Sequence, residues 1–383
     1  MRLRPTARLP TPGWRWIVVV TGVALLGCLP ALASSLPVSV QTIPARQLEQ
    51  RILSTQQMSF AGYAESNATF GLPALPAFSS VTPLLDGVTR MRIWQASPSR
   101  WRVDTLTDAG ENDTYQAGQN AYTWDSGEQL LTEILGPQPL RLPRAADLVP
   151  SALAIRLIQE AGPRARLSLL PPQRVAGQNA AGLAITPASP ESTIARADIW
   201  AAQGTGLPLR VEVFGRDSVQ PALETQFLQV APWQPDQVVL TPRHGPGSGF
   251  TSSAPGSLAG ALNSLDSEVL PGSLAGLARQ PSPPGFKEIG VYGSGLAAFA
   301  VLTFRRDTGY QLLSDALSAG ATPLTDQDGT GAVASAPLVN LILIHSSVSH
   351  ETFLLVGLVS RSALERAAAA IAARPDQDYD HHQ

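Results

Sequence analysis

The 383-residue chain has one cysteine, Cys28, and one lysine, Lys287. The first scarcity excludes disulfide staples, a thiol nucleophile and a cysteine-based metal site from everything beyond residue 33. Stability there has to come from buried apolar area. Charge is sparse too, at 15% of residues with a net of −3. No clustered cations are offered to a polyanion, so nucleic acid is not expected as a partner. The five histidines fall in no motif. His244 lies in a Gly/Pro stretch, His345 and His350 flank a hairpin, and His381 and His382 are terminal. Gly118–Gly127 carries no phosphate-binding glycine pattern, and Gly293-Ser-Gly295 lacks the spacing of a nucleophile elbow. Asp104, Asp108, Glu111 and Asp113 lack calcium-loop spacing and are expected as a solvated turn between strands. His345 and His350 are likewise expected on a solvated hairpin. With no nucleophile–base–orienter set and no ligand cluster, we expect no enzyme, no cofactor and no metal.

What is present begins at the N-terminus. Arg2, Arg4, Arg8 and Arg15 precede the uncharged run Trp16–Cys28, and Ala31-Leu-Ala33 is a small-x-small cleavage pattern. Residues 1–33 therefore read as an export signal. Two further readings stay open. Extended through Ala33, the run approaches the ~20 residues that span a bilayer, which makes a retained membrane anchor. Leu25-Leu-Gly-Cys28 resembles a lipoprotein box, in which Cys28 is lipidated. All three put residues 34–383 outside the cytoplasmic membrane, where ATP and metabolic cofactors are scarce.

Residues 34–383 exceed one ordinary core, so two domains are expected. The Pro/Gly/Ser-dominated stretch 241–257 reads as a flexible linker between a domain at 40–240 and one at 258–373, with a disordered tail at 374–383. The first domain opens on a helix at Ala45–Ser54, with Leu48, Ile52 and Leu53 at helical spacing. Alternating strands follow at Ser59–Glu65, Thr89–Gln95, Arg100–Leu106 and Ala121–Asp125. A second helix lies between Leu148 and Ala161. Strands at Gly182–Pro187, Arg196–Ala201, Leu209–Gly215 and Glu224–Val230 close the domain. Many consecutive strands with two helices give an α+β fold: a curved antiparallel half-barrel sheet with covering helices. The second domain is a smaller α+β module with helices at Tyr310–Ser318 and Ser362–Ala373, the latter capped by Ser360 or Ser362.

Ala197-Asp-Ile-Trp-Ala-Ala-Gln-Gly-Thr-Gly-Leu-Pro-Leu-Arg-Val-Glu-Val213 is strand, Gly-Thr-Gly turn and strand. It resembles the hairpin of the LolA/RseB-type lipoprotein-carrier and sigma-factor-regulatory family (the MucB/RseB N-terminal type), where a strand ending in Trp meets a Thr-Gly-Leu-Pro-Leu-Arg turn. Phe70-Gly-Leu-Pro-Ala-Leu-Pro76, Arg100-Trp-Arg-Val-Asp104 and Tyr122-Thr-Trp-Asp-Ser126 fit the same family, especially its actinobacterial branch. Leu270–Arg279 and Val291-Tyr-Gly-Ser-Gly295 resemble the C-terminal part of its two-domain members. The resemblance covers most of 45–373 and rests on structural motifs. It implies an apolar concave face that holds acyl chains or a hydrophobic peptide. Relatives ferry lipoproteins or sense envelope stress through a membrane-bound anti-sigma factor.

Phe60, Phe70, Trp94, Trp101, Tyr122, Trp124 and Trp200 are first of all core residues. A half-barrel with one helix pair cannot fill its whole concave face, so the same side chains, with Leu72 and Leu75, are candidates to line a hydrophobic cavity. Proline bars Leu72-Pro-Ala-Leu-Pro76 from a central strand and makes it a natural lid. The expected partners are a lipid or acyl ligand, a membrane-bound protein such as an anti-sigma factor or transporter, and the membrane itself through the N-terminal segment.

Overall fold

The structure, a computed structural model, describes residues 38, 40–71, 82–107, 110–136, 141, 143–243, 245, 247–253, 265, 269–282 and 289–375. The export segment with Cys28, the stretch with Leu72 and Leu75, and most of the expected tail lie outside these residues.

Helix α1 (Ala45–Ser54) is followed by β1 (Phe60–Thr69), the short α2 (Thr82–Leu85), β2 (Asp86–Ser97), β3 (Arg100–Thr107), β4 (Gly110–Ala117), β5 (Asn120–Asp125) and β6 (Leu130–Ile134). Next come α3 (Pro150–Ala161), β7 (Arg166–Val175), β8 (Gln178–Thr186), β9 (Ile194–Ala202), β10 (Pro208–Gly215), β11 (Leu223–Pro232) and β12 (Gly249–Ser253). All twelve strands form one curved sheet, ordered β12-β6-β5-β4-β3-β2-β1-β11-β10-β9-β8-β7. The chain thus builds one arm of the sheet outward from β1, then returns through α3 to lay the other arm against β1 by way of β11. Pro150 opens α3 with its φ already set, and Gly162 (φ 68°) ends it.

One face of this sheet carries the helices. Leu48 and Ile52 of α1 and Ala154, Leu157 and Ile158 of α3 enter a single core with Phe60, Met91, Ile93, Leu183, Ile199 and Val211. Phe60 meets Phe227 edge-to-face at 5.7 Å. Gly62 stands beside that pair because a side chain there would strike the Phe227 ring. Each large residue buried in this way contributes about 1.5–3 kcal/mol.

The second sheet contains β13 (Ser273–Leu274), β14 (Leu277–Gln280), β15 (Ile289–Ser294), β16 (Ala297–Phe304), β17 (Thr322–Asp326), β18 (Gly329–Ser335), β19 (Asn340–Ser346) and β20 (Thr352–Gly357). Helices α4 (Arg306–Ser318) and α5 (Arg361–Ala372) accompany it. Ser360 caps α5 by accepting a hydrogen bond from the Ala363 amide at 3.2 Å. Ala363, Leu364, Ala367, Ala368 and Ile371 of α5 pack on Tyr292, Phe299, Ile342 and Phe353.

The two sheets are joined by more than a tether. Leu296 and Leu338 of the second belong to the core of the first. Ser192 bridges to Val359, the Ser192 hydroxyl donates to the Leu296 carbonyl at 2.6 Å, and that of Thr193 donates to Leu338 at 2.6 Å. Glu191 accepts from the Ser360 amide through its carbonyl at 2.7 Å and from Arg366 through its carboxylate at 3.0 Å. Gly295 (φ 57°) lies so close to the Glu160 carbonyl that no side chain fits there.

Part of the stretch expected to be linker is strand. Gly249–Ser253 pairs in parallel with β6, from Gly249↔Leu130 to Ser253↔Ile134, and Leu240 just before it is fully buried. The β6 edge supplies hydrogen-bond partners that override a composition poor in strand formers. Strands β4, β6 and β7 also escaped the pattern reading. β4 is polar on both faces, β6 is short, and β7 carries Pro171-Pro172 at an edge, where proline is tolerated.

Candidate functional site

The sheet divides into two regions. The hub, around β1 and β8–β11, has helices on its inner face, and β9 is buried along most of its length. The wing comprises β3–β6 and β12, and β5 and β6 each have one buried residue.

Register across the wing assigns its two faces. On the inner face, Val103, Thr114, Thr123, Thr132 and Thr251 stand in one row. Thr114, Thr123 and Thr132 are half-buried, so this row is hydroxyl-lined, while the next inner row carries Trp101, Gln116, Ala121 and Ile134. On the outer face, Trp94, Arg102, Tyr115, Tyr122 and Glu133 form one row, and Arg92, Asp104, Asp113, Trp124 and Leu131 form the next.

Charge concentrates in these outer rows. The Arg102 Nη2 atom lies 2.9 Å from Asp104 Oδ2, 2.9 Å from Asp113 Oδ2 and 3.3 Å from Glu111 Oε1. Arg92 reaches Asp104 at 3.4 Å and also pairs with Glu111. Asp104 is 0% exposed and Asp113 is 4% exposed. This corrects the expectation of a solvated turn: the acidic residues described here are ion-paired, and two are buried. The three carboxylates converge as a metal site would, but a guanidinium already stands among them.

Three carboxylates against two guanidiniums leave a surplus negative charge. Burial, then the neighbouring Asp104 charge, pushes the Asp113 carboxyl up to about 7. Burial raises Asp104 as well. The Tyr115 hydroxyl donates to Asp113 Oδ2 at 3.0 Å, and burial followed by the Asp113 charge holds its own ionisation well above the usual tyrosine range. Asp113 Oδ1 is buried without a hydrogen-bond partner among the described residues. Trp94 lies beneath both arginines, with Arg102 5.3 Å and Arg92 5.9 Å from its ring.

Beside this lattice a cleft of about 390 Å³ crosses the outer wing. Ala117, Leu131 and Leu240 give it an apolar lining, Tyr122, Glu133 and Phe250 add walls, and Arg100 stands toward its β3 side. Tyr122 donates to Glu133 at 2.5 Å. The Nε atom of Arg100 is buried and has no partner among the described residues.

The expected site residues divide between the faces. Phe60, Phe70 and Trp101 lie on the inner side, Phe60 fully buried and Trp101 packed against the core. Trp94 lies on the outer face of β2 beside the wing, and Tyr122 and Trp124 lie on the outer wing, Tyr122 in the cleft. Trp200 lies on the outer face of the hub over Gly182, donating to the Pro171 carbonyl at 3.1 Å with Arg210 across its ring at 5.6 Å. Leu72 and Leu75 fall outside the described residues. Sequence reasoning missed Arg100, Leu131, Leu240 and Phe250. Leu240 and Phe250 sit at and within the Pro/Gly/Ser stretch, and nothing local marks them. In the second sheet, His345 is buried rather than solvated. Its Nε2 is 2.9 Å from the Tyr310 hydroxyl and its Nδ1 is 3.1 Å from Thr352, and burial holds its ionisation below the usual histidine range.

No protein-family model matches the chain. No curated protein matches it either. Among solved structures, it is similar to the complex structure of Pseudomonas aeruginosa MucA/MucB, with 18% identity, a TM-score of 0.49, and coverage of 85% of this chain and 96% of that one. It is also similar to the LolA superfamily protein NE2245 from Nitrosomonas europaea, with 12% identity, a TM-score of 0.26, and coverage of 52% and 99%. A third is LprF from Mycobacterium bovis, with 11% identity, a TM-score of 0.31, and coverage of 54% and 100%. These structural neighbours are MucB and LolA-superfamily proteins, the group to which the sequence resemblance points.

Proposed function

We propose that the chain is an exported, non-catalytic protein of the cell envelope that binds a hydrophobic ligand, a lipid or lipopeptide, as a carrier or sensor. The observation that carries this reading is the apolar-lined cleft on the outer wing, roofed by Leu240, Thr241 and Pro242. On the inner face the hub is filled by its own side chains, and the central wing row there is hydroxyl-lined. Each methylene buried in the cleft contributes about 0.8 kcal/mol. Native mass spectrometry of the full chain released from a bacterial envelope tests the reading. A bound mass that extracts into organic solvent supports it. A clean unliganded mass that persists after incubation with envelope lipids overturns it.

A second reading is a regulatory module that holds a membrane-bound protein, such as an anti-sigma factor or a transporter. The joint between the sheets favours it, because a cleft of about 550 Å³ there draws its walls from both, with Glu160, Arg164, Ser189 and Ser294 among them. MucB has been solved together with MucA. A protein that stays bound to the full chain, and is released when this joint is altered, separates the second reading from the first.

A further inference from the structure

We propose that the outer-wing cleft takes a single-chain anionic amphiphile, its acidic head on Arg100 and its chain running across the wing toward Phe250. This rests on the hydrophobic-ligand reading above and names the site and the chemistry. Arg100 is the cation of the cleft. Unlike Arg92 and Arg102, it pairs with no carboxylate among the described residues, where its buried Nε, like that of Arg92, has no partner either. Arg100 as a whole is half-buried, so the accessible end of its guanidinium, which makes no ion pair among the described residues, can meet a bound carboxylate or phosphate through a charge-assisted hydrogen bond.

The shape of the cleft selects the rest of the ligand. Its lining residues lie on β3, β4, β5, β6 and β12, four strand spacings or roughly 19 Å across. Between Arg100 and Phe250 the apolar contacts are Ala117, Leu131, Leu240 and Pro242. The polar groups on the way are already engaged: Tyr122 donates to Glu133, Asn120 donates to the same Glu133 oxygen at 3.1 Å, and the Thr241 hydroxyl donates to Gln237 at 2.6 Å. A peptide laid along this path would leave its amides and carbonyls unpaired, whereas a methylene chain needs no partners. Glu133 in the wall disfavours a second anionic group along the chain, so one head at one end fits best.

The test uses the full chain held in amphipol, with equilibrium binding of radiolabelled tetradecanoate, tetradecyl phosphate and, as the neutral control, tetradecanol. Wild type is expected to bind both anions more tightly than the alcohol, and the tighter of the two identifies the head. Arg100→Gln is expected to weaken anion binding on the order of tenfold or more and to leave alcohol binding unchanged. Because the Arg100 Nε satisfies nothing in the fold, that variant should melt no lower than wild type. Phe250→Ala should weaken all three ligands. Should wild type bind them while both variants bind equally well, this site is wrong and the hydrophobic-ligand reading survives. Should wild type bind none of the three nor any envelope lipid, that reading falls as well. Preferential binding of an acidic peptide, lost in Arg100→Gln, would overturn the chain chemistry in favour of a protein partner.

Discussion

Hub and wing belong to one sheet but are built on opposite principles. In the hub, β9 and β10 present Ile199, Val211 and Val213 to α1 and α3, and most positions of these two strands are sealed from water. In the wing, aromatic, hydroxyl and charged residues lie half-buried on both faces, held by ion pairs and by a returning strand. Apolar burial makes the hub stable and leaves it little to offer a partner. The wing gives up some of that stability and keeps surplus charge, an unsatisfied arginine and an open cleft. Function on this sheet is therefore to be sought at the wing.

The largest blow to this contrast comes from the hub. Phe60→Ala removes a fully buried ring from the contact with Phe227 and should cost about 3–5 kcal/mol in urea unfolding. A loss below 1 kcal/mol would mean that the hub is not the stabilising half. In the wing, Arg102→Met leaves Asp104 and Asp113 buried without their main counter-charge and should cost about 3 kcal/mol. Adding Asp113→Asn should restore part of that loss.

The pH dependence sharpens the contrast further. An Asp113 carboxyl raised to about 7 in the folded protein binds its proton more tightly there than in the unfolded chain. Its contribution is fully present below the unfolded carboxylate range and is lost as pH rises through about 7. The unfolding midpoint of wild type, relative to Asp113→Asn, should therefore fall between pH 4 and pH 7 and then level off. A difference independent of pH would contradict the buried, over-charged lattice. At the joint between the sheets, Ser192→Ala deletes the bond to Leu296 and should cost about 1 kcal/mol. The smallest effect belongs to the inner wing: Thr123→Val, on a half-buried position, should change stability by less than about 0.5 kcal/mol.

Much of the hub was legible in the sequence. Trp200 and Val211 flank a Gly-Thr-Gly turn between alternating strands, and Leu48 and Ile52 mark the buried side of α1. Local periodicity carried those assignments: Val211, Leu48 and Ile52 fall on the helix-covered side of the sheet, and Trp200 falls on the opposite one. The wing was less legible. β4 alternates among polar residues whose burial depends on Arg102 from the next strand, and β12 gains its strand character from β6, far away in the sequence. Tyr122 stood out as an aromatic residue, but its place in a cleft depends on Leu240 and Phe250, which no local pattern singles out. Sites assembled by non-local pairing leave little trace in any one segment.

Hydrogen exchange of the full chain, with and without a total lipid extract of the bacterial envelope, tests the division between hub and wing most directly. If the wing is the binding region, added protection appears in β3–β6 and in residues 240–253 and leaves the amides of β1, β8 and β9 unchanged. Protection confined to the hub strands and α1 would place the ligand on the inner face and contradict this assignment.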